Sequence, residues 1–359
     1  MKEMDPKVNH AGGAKTDLSR YIRQIIYEHM DEAAQRQLLE SRVTLIGCGA
    51  LGTVLANTLV RAGVGFLRII DRDYVEWNNL QRQVLFDERD AENGTPKAVA
   101  AANRLGQVNS DVEIEPIIAD VHGGNIESLV DNTGLFLDGT DNFEIRFLIN
   151  DVAVKTKTPW VYGACVGASG MVMPILPGTT PCLRCIWDQP PPPGMNPTCD
   201  TAGILAPIVN IVAGLQSLEA IKILTGRLDS VSRRLVQIDA WGGQYDSFDM
   251  GGALENGQCR CCKEGVYDYL TGERSSRSTS LCGRDAVQIA APEGTSVDLE
   301  ALAVKVAPVA KSPPKSNRYL LRFEVDGCEI TLFRDGRAII KGVTEPDQAR
   351  ALYAKYIGT

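Results

Sequence analysis

Glycines at 47, 49 and 52 (Gly47-Cys48-Gly49-Ala50-Leu51-Gly52) are followed along the chain by Asp71 and Asp73, then Asn78-Asn79-Leu80-Gln81-Arg82-Gln83, then Lys97, then Gly139-Thr140-Asp141-Asn142. Glycines at that spacing let a backbone turn tightly and approach a phosphate, which then faces helix N–H groups. Asp71 stands where a ribose-binding carboxylate belongs, and suits NAD as well as ATP. Arg82 and Lys97 favour ATP: arginine grips phosphate oxygens bidentately and lysine adds a point charge. Alone, each cation reads as a solvated surface residue, and the glycine turn as a strand-to-helix turn without a ligand. In this order, with Asn79 and Gln83 beside them, they point to a triphosphate neutralised for phosphoryl or adenylyl chemistry. Asp141 has two readings. It is a ligand for Mg2+, which takes one or two carboxylates plus phosphate oxygens, or it caps a helix starting near Phe143.

The elements that must position these residues are legible as β-α-β. Arg42–Ile46 reads as a buried strand, Thr53–Arg61 as a helix, and Phe66–Ile70 as a second strand ending at Asp71. That context makes a weak glycine pattern credible. Helices are expected over Leu18–Leu39, Lys97–Leu105 and Ala206–Leu224. Strands are expected over Glu113–Ile118, Leu135–Asp138, Trp160–Ala164, Gly170–Ile175 and Leu235–Ala240. Gln189–Pro197 is proline-rich and excludes helix or central strand. The expected fold is α/β, a Rossmann-like doubly wound, mainly parallel sheet spanning residues 18–264, after a flexible N-terminus at 1–17. A small α+β domain is expected over 265–359, with strands at Ser280–Ile289, Tyr319–Val325 and Ile330–Lys341 and helices at Leu299–Val306 and Pro346–Tyr356.

Ten cysteines in 359 residues divide by spacing. Cys182-Leu183-Arg184-Cys185 and Cys259-Arg260-Cys261-Cys262 offer two CxxC pairs, the four-thiolate shell of a closed structural Zn2+ site. The long gap between the pairs leaves unrelated surface or redox pairs as the competing reading. Cys261 competes with Cys262, and the CxxC register favours Cys262. Cys199 sits between the proline-rich loop and the apolar helix, where an exposed loop and a helix N-terminus favour a reactive thiolate; an ordinary loop cysteine fits as well. Cys48, Cys165 and Cys328 read as packing residues. Cys282 is unexplained, and the three histidines show no triad pattern.

A net charge of −8 argues against nucleic acid as a partner. No run reads as a membrane span and the N-terminus does not read as a signal peptide, so the expected compartment is the cytoplasm.

Together these residues resemble the ThiF/MoeB/HesA family of ubiquitin-activating-enzyme-like adenylyltransferases. The resemblance runs from Arg20 to Cys262: Arg20-Tyr-x-Arg-Gln, the glycine turn, Asn79-Leu-Gln-Arg-Gln83, Gly94-x-Pro-Lys97, Thr140-Asp-Asn142, both CxxC pairs, and Cys199 ahead of Ala202-Gly-Ile-Leu-Ala-Pro207. Longer members also carry a Leu-Cys-Gly-Arg-Asp strand and an α+β tail, as here. The resemblance implies that ATP and Mg2+ bind at the glycine turn. The C-terminal glycine carboxylate of a small ubiquitin-like sulfur carrier of ThiS or MoaD type, ending in Gly-Gly, then attacks the α-phosphate, serving thiamin or molybdopterin synthesis. It implies phosphate contacts from Arg82 and Lys97, ribose contact from Asp71, Mg2+ at Asp141, and Arg23 as an arginine finger from the other subunit of a homodimer. Cys199 is the thiol that in some members joins the activated carrier covalently. Departures are Ala50 in the turn, the extra cysteine of the second pair, and no rhodanese-like segment, which implies a separate sulfur donor such as a cysteine desulfurase. Three other readings stand beside this one: an NAD-dependent oxidoreductase, a non-catalytic module docking a ubiquitin-like partner, and adenylation of a peptide or other carboxylate in a specialised pathway.

Overall fold

Alternation along the strands sets two packing faces. Leu135 and Leu137 point one way and Phe136 the other; Val161 opposes Trp160 and Tyr162. The computed structural model describes residues 17–190, 199–273, 286–289 and 295–358. Its first sheet contains β1 (Arg42–Ile46), β2 (Phe66–Asp71), β3 (Glu113–Ile118), β4 (Leu135–Asp138), β5 (Trp160–Val166), β6 (Ser169–Ile175), β7 (Arg234–Asp239) and β8 (Gln244–Asp249), in the order β3-β2-β1-β4-β5-β6-β7-β8. The first five strands pair in parallel, and β6, β7 and β8 extend the sheet antiparallel. Helices Ala50–Ala62, Lys97–Val108 and Ala206–Leu224 cover one face, and Phe143–Thr156 covers the other. The expected Rossmann-like fold is the observed one.

Strand order reverses between β1 and β4. The chain runs outward from β1 through β2 and β3, then returns to β4 on the other flank. Ligands of open α/β sheets bind outside the carboxyl ends of the strands at such a switch point. Here the glycine turn leaves β1 and the 139–142 loop leaves β4, side by side: Gly47 N donates to Ile70 O at 2.8 Å and Gly139 N to Ile46 O at 2.8 Å. Gly47 has φ +88°, and a Cβ on Gly139 would lie 2.3 Å from Gly47 O. The two loops touch because neither residue has a side chain.

A second, antiparallel sheet follows: β9 (Ala286–Ile289), β10 (Lys315–Ser316), β11 (Leu320–Val325), β12 (Cys328–Phe333) and β13 (Ala338–Lys341), ordered β10-β11-β12-β13-β9. Helices Leu299–Val306 and Pro346–Tyr356 pack on one face of it. Its other face buries Leu320, Phe333 and Ile339 against Tyr74 of the first domain.

Three expectations change, and one falls partly outside the described residues. The helix expected over Leu18–Leu39 is broken: a short helical stretch spans Ser19–Ile25, and a new helix starts at Glu32, where the Asp31 carboxylate accepts from Ala34 N at 2.7 Å. The strand expected over Ile330–Lys341 is the β12–β13 hairpin, turned at Arg334-Asp335-Gly336 with Gly336 at φ +81°. Of Ser280–Ile289, only Ala286–Ile289 is described, as a strand; Cys282 lies outside the described residues. Lastly, Ala206–Leu224 is long and apolar enough to cross a membrane. In the fold it lies on the sheet, with Val209, Val212 and Ala213 buried and Gln216 Nε2 donating to the carbonyls of Asp138 and Val161.

Gly139→Ala is expected to lower the unfolding free energy by about 1–3 kcal/mol through overpacking at the loop contact, read as a lower urea midpoint at unchanged slope. Gly106→Ala, with nothing within 4 Å of its added Cβ, is expected to leave the midpoint unchanged or raise it.

Candidate functional site

Gly49 precedes the helix Ala50–Ala62 with no side-chain cap, so the first-turn N–H groups face outward from the switch point. A Cβ there would meet only Gln83 Nε2 and Gly139 O, each at 3.9 Å, so the turn borders open space. Gln83 is buried beside it, and its Oε1 makes no hydrogen bond. Asp71, at the end of β2, accepts from Cys48 N at 2.6 Å and Asp73 N at 2.7 Å. Burial raises the Asp71 carboxyl pKa, against the pull of Lys97. Each carboxylate oxygen keeps a lone pair for a ribose hydroxyl.

Lys97 opens the helix Lys97–Val108 and is only 5% exposed. Its Nζ lies 3.2 Å from Asp73 Oδ2, and its N–H donates to Asp73 O at 2.9 Å. Segment 94–97 is laid along 73–75 by the Val75 N to Thr95 O bond and the Tyr74–Pro96 bridge. Asn79 is buried and shapes its own loop, with Oδ1 accepting from Glu76 N at 3.0 Å. Arg82 donates to Asn78 O at 2.7 Å.

Asp141 is exposed, two residues past Gly139, whose backbone packs on Gly47. The helix Phe143–Thr156 is capped by Asn142, whose Oδ1 accepts from Glu144 N at 2.8 Å, so Asp141 does not have that task. Its loop is braced by a buried pair. Asp138 accepts from Thr140 N, Thr140 Oγ1 and Arg146 Nε at 2.7–2.9 Å, while Arg146 Nη2 donates to Thr140 O at 2.7 Å. Burial opposes the Arg146 charge, and Asp138, Tyr162 and Asp141 together more than restore it. The sequence signal of this pair is Arg146 set between the apolar Ile145 and Phe147-Leu148-Ile149 of a helical run.

Arg23 is not brought to this site within the chain. Its exposed helical segment is anchored by Tyr21, whose ring a Cβ on Gly63 would strike at 2.6 Å. Gly63 caps the far end of the 13-residue helix Ala50–Ala62, about 20 Å from the glycine turn at 1.5 Å per residue. Cys199 starts the short helix Cys199–Ala202; its side chain lies outside the described residues.

The sulfurs of Cys182, Cys185, Cys259 and Cys262 lie within 4.8 Å of one another. Measured separations are 3.6 Å (Cys182–Cys259), 3.8 Å (Cys182–Cys185) and 3.4 Å (Cys185–Cys262). A tetrahedral Zn2+ with Zn–S near 2.3 Å sets sulfurs about 3.8 Å apart, so the donor set fits zinc. Backbone bonds from Lys263 and Glu264 N–H to Cys259 O fold the second pair into a tight knuckle. Cys261 lies outside this set of four, accepting from Asn150 Nδ2 at 3.4 Å, while Asn150 Oδ1 accepts from Leu183 N at 2.8 Å. Arg184, Asp151 and Asp268 form a buried ion network behind the knuckle. Tyr269 and Leu270 then dock on Asp151 through their N–H groups.

A profile described as the ThiF family matches residues 21–261. The chain is 42% identical over 339 residues to the sulfur carrier protein ThiS adenylyltransferase of Bacillus subtilis, covering 94% of this chain and 99% of that one. It is 36% identical over 255 residues to the SAMP-activating enzyme E1 of Haloferax volcanii, covering 71% and 92%. Among solved structures, Escherichia coli MccB crystallised with ATP aligns with a TM-score of 0.59 at 22% identity, covering 68% of this chain and 74% of that one, a likeness of fold.

The sulfur geometry generates one prediction. The purified protein is expected to hold about one zinc per chain, Cys262→Ser to lose it, and Cys261→Ser to retain it, as read by elemental analysis. Loss in Cys261→Ser with retention in Cys262→Ser would assign the fourth ligand the other way.

Proposed function

This chain belongs to the ThiF family, and from that premise we propose that it adenylates the C-terminal glycine of a small ubiquitin-like sulfur carrier of ThiS type. The observation that carries this reading is the meeting, at one switch point, of an uncapped helix N-terminus, the Asp71 carboxylate, Lys97 and the Asp141 loop. The near full-length likeness to a ThiS adenylyltransferase supports the choice of carrier.

ATP is the substrate that fits. Its ribose meets Asp71 and its phosphates meet the N–H groups after Gly49. Lys97 and Arg82 neutralise the phosphate oxygens, each leaving the partner it holds here, Asp73 and Asn78 O. Asp141 is the residue that would hold Mg2+, which when bound adds positive charge beside the phosphates. A carboxylate oxygen of the carrier's terminal glycine attacks the α-phosphorus in line. The bond from that phosphorus to the bridging oxygen breaks, giving acyl-adenylate and pyrophosphate. The nucleophile is already ionised, so the site has little need of a general base; positioning and charge compensation supply the rate. Asn79 and Gln83 keep the Arg82 segment folded against the glycine turn.

Arg23 acts in this reading from a second subunit, which its distance within the chain supports, and the working form is a homodimer. Cys199 serves after adenylation, as the thiol that takes the activated carrier. Sulfur comes from a separate donor such as a cysteine desulfurase, and the Cys182/Cys185/Cys259/Cys262 zinc is structural. Reduced thiolates and ATP suit the cytoplasm.

With Mg2+ and a Gly-Gly-ended carrier, the protein is expected to exchange pyrophosphate into ATP. Lys97→Ala and Arg82→Ala should each lower that exchange by about 100–1,000-fold, the scale of removing one pre-placed charge donor, while Cys199→Ala spares it. Carrier-independent exchange, or none with any carrier, would reject the reading.

A further inference from the structure

The second domain reaches the nucleotide end of β2 directly. Arg337, on the turn entering β13, is buried and donates from Nη2 to the backbone carbonyl of Arg72 at 2.6 Å. Its guanidinium also lies over the Phe333 ring, 3.8 Å from the centroid. Gln288 of β9 donates from Nε2 to one oxygen of Asp120, whose other oxygen accepts from Arg72 Nη1 at 2.9 Å. Arg72 is thus held at its main chain by Arg337, and at its side chain by a carboxylate that Gln288 fixes. Around it, Tyr74 lies under the Arg322 guanidinium at 4.4 Å, and Lys341 pairs with Glu76.

What this grip controls is Asp73. Its Oδ2 is 3.2 Å from Lys97, and its Oδ1 is 3.9 Å from Arg72 Nε. For Lys97 to turn toward phosphates, the half-buried Asp73 carboxylate must keep a cation beside it, since an unpaired buried charge is costly. Arg72 is that cation. Burial opposes its charge, yet Asp73 and Asp120 hold its pKa above the ordinary arginine value.

We infer that Arg337, with Gln288, is a positioning residue for adenylation: the second domain fixes Arg72 as the standing counter-ion of Asp73 and so releases Lys97 to the ATP phosphates. This rests on the assignment of Lys97 to ATP made above. The second domain is then part of the adenylating site rather than a cover for a sheet edge.

The test is ATP–pyrophosphate exchange on the full chain with carrier present, comparing kcat/KM for ATP in a double-mutant cycle of Arg337→Met and Asp73→Asn, with melting recorded alongside. Arg337→Met is expected to lower kcat/KM for ATP about tenfold, the scale of one charge-assisted hydrogen bond. In the Asp73→Asn background the same change is expected to cost less than about twofold, because no carboxylate is left to hold. Equal losses in both backgrounds, or an unchanged kcat/KM in folded Arg337→Met, overturn the inference, since a merely structural residue moves melting without this coupling. If Arg337→Met does not fold, Gln288→Met is put through the same cycle and judged by the same two outcomes. Absence of exchange in the unaltered protein strikes the ATP assignment itself, before any variant is compared, and takes this inference with it.

Discussion

The Asp71 carboxylate is the joint on which the site depends. One oxygen holds the N–H of Cys48 in the glycine turn after β1, and the other holds the N–H of Asp73 in the segment after β2. A carboxylate partly withdrawn from water is stable where hydrogen bonds replace that water. The fold supplies two backbone donors because two parallel strands end side by side. That one side chain therefore fixes both the glycine turn and the start of the segment that carries Tyr74 and Asp73, the partner of Lys97.

Around this joint stand the cations proposed to meet the phosphates. Lys97 rests on Asp73, and Arg82 rests on a backbone carbonyl. Arg146 is different: it is locked between Asp138 and two carbonyls and works only to hold the Asp141 loop. The division is physical. In the proposed reaction Lys97 and Arg82 exchange the partners they hold here for phosphate oxygens, whereas Arg146 keeps a buried carboxylate and two carbonyls. The cysteine knuckle belongs to the second kind. It ties the loop after β6 to Tyr269 and Leu270 through Arg184, Asp151 and Asp268, far along the chain but adjacent in space.

Much of this was legible in the sequence because the signals are local. Gly47, Gly49 and Gly52 follow a buried strand directly, and Asp71, Asp141 and Lys97 stand at strand or helix ends that periodicity locates. The helices Ala206–Leu224, Leu299–Val306 and Pro346–Tyr356 have the boundaries expected of them. Two readable punctuation marks were passed over: Asp31-Glu32, which starts a helix, and Asp335-Gly336, which turns a hairpin. Other features have no local signature. Arg337 meets Arg72 across 265 positions and Gln288 meets Asp120 across 168; only the docking of two sheets brings them together. The choice of Cys262 over Cys261, by contrast, was legible in the CxxC register, and the sulfur cluster contains Cys262.

In the proposed reaction this switch point joins AMP to a protein carboxylate. Intact mass spectrometry of a purified ThiS-type carrier, incubated with the protein, Mg2+ and ATP and quenched in acid, tests it most directly. The carrier is expected to gain the mass of one adenylyl group, and to stay unmodified when its terminal glycine has been removed. A carrier that stays unmodified while ATP is bound or hydrolysed would contradict it.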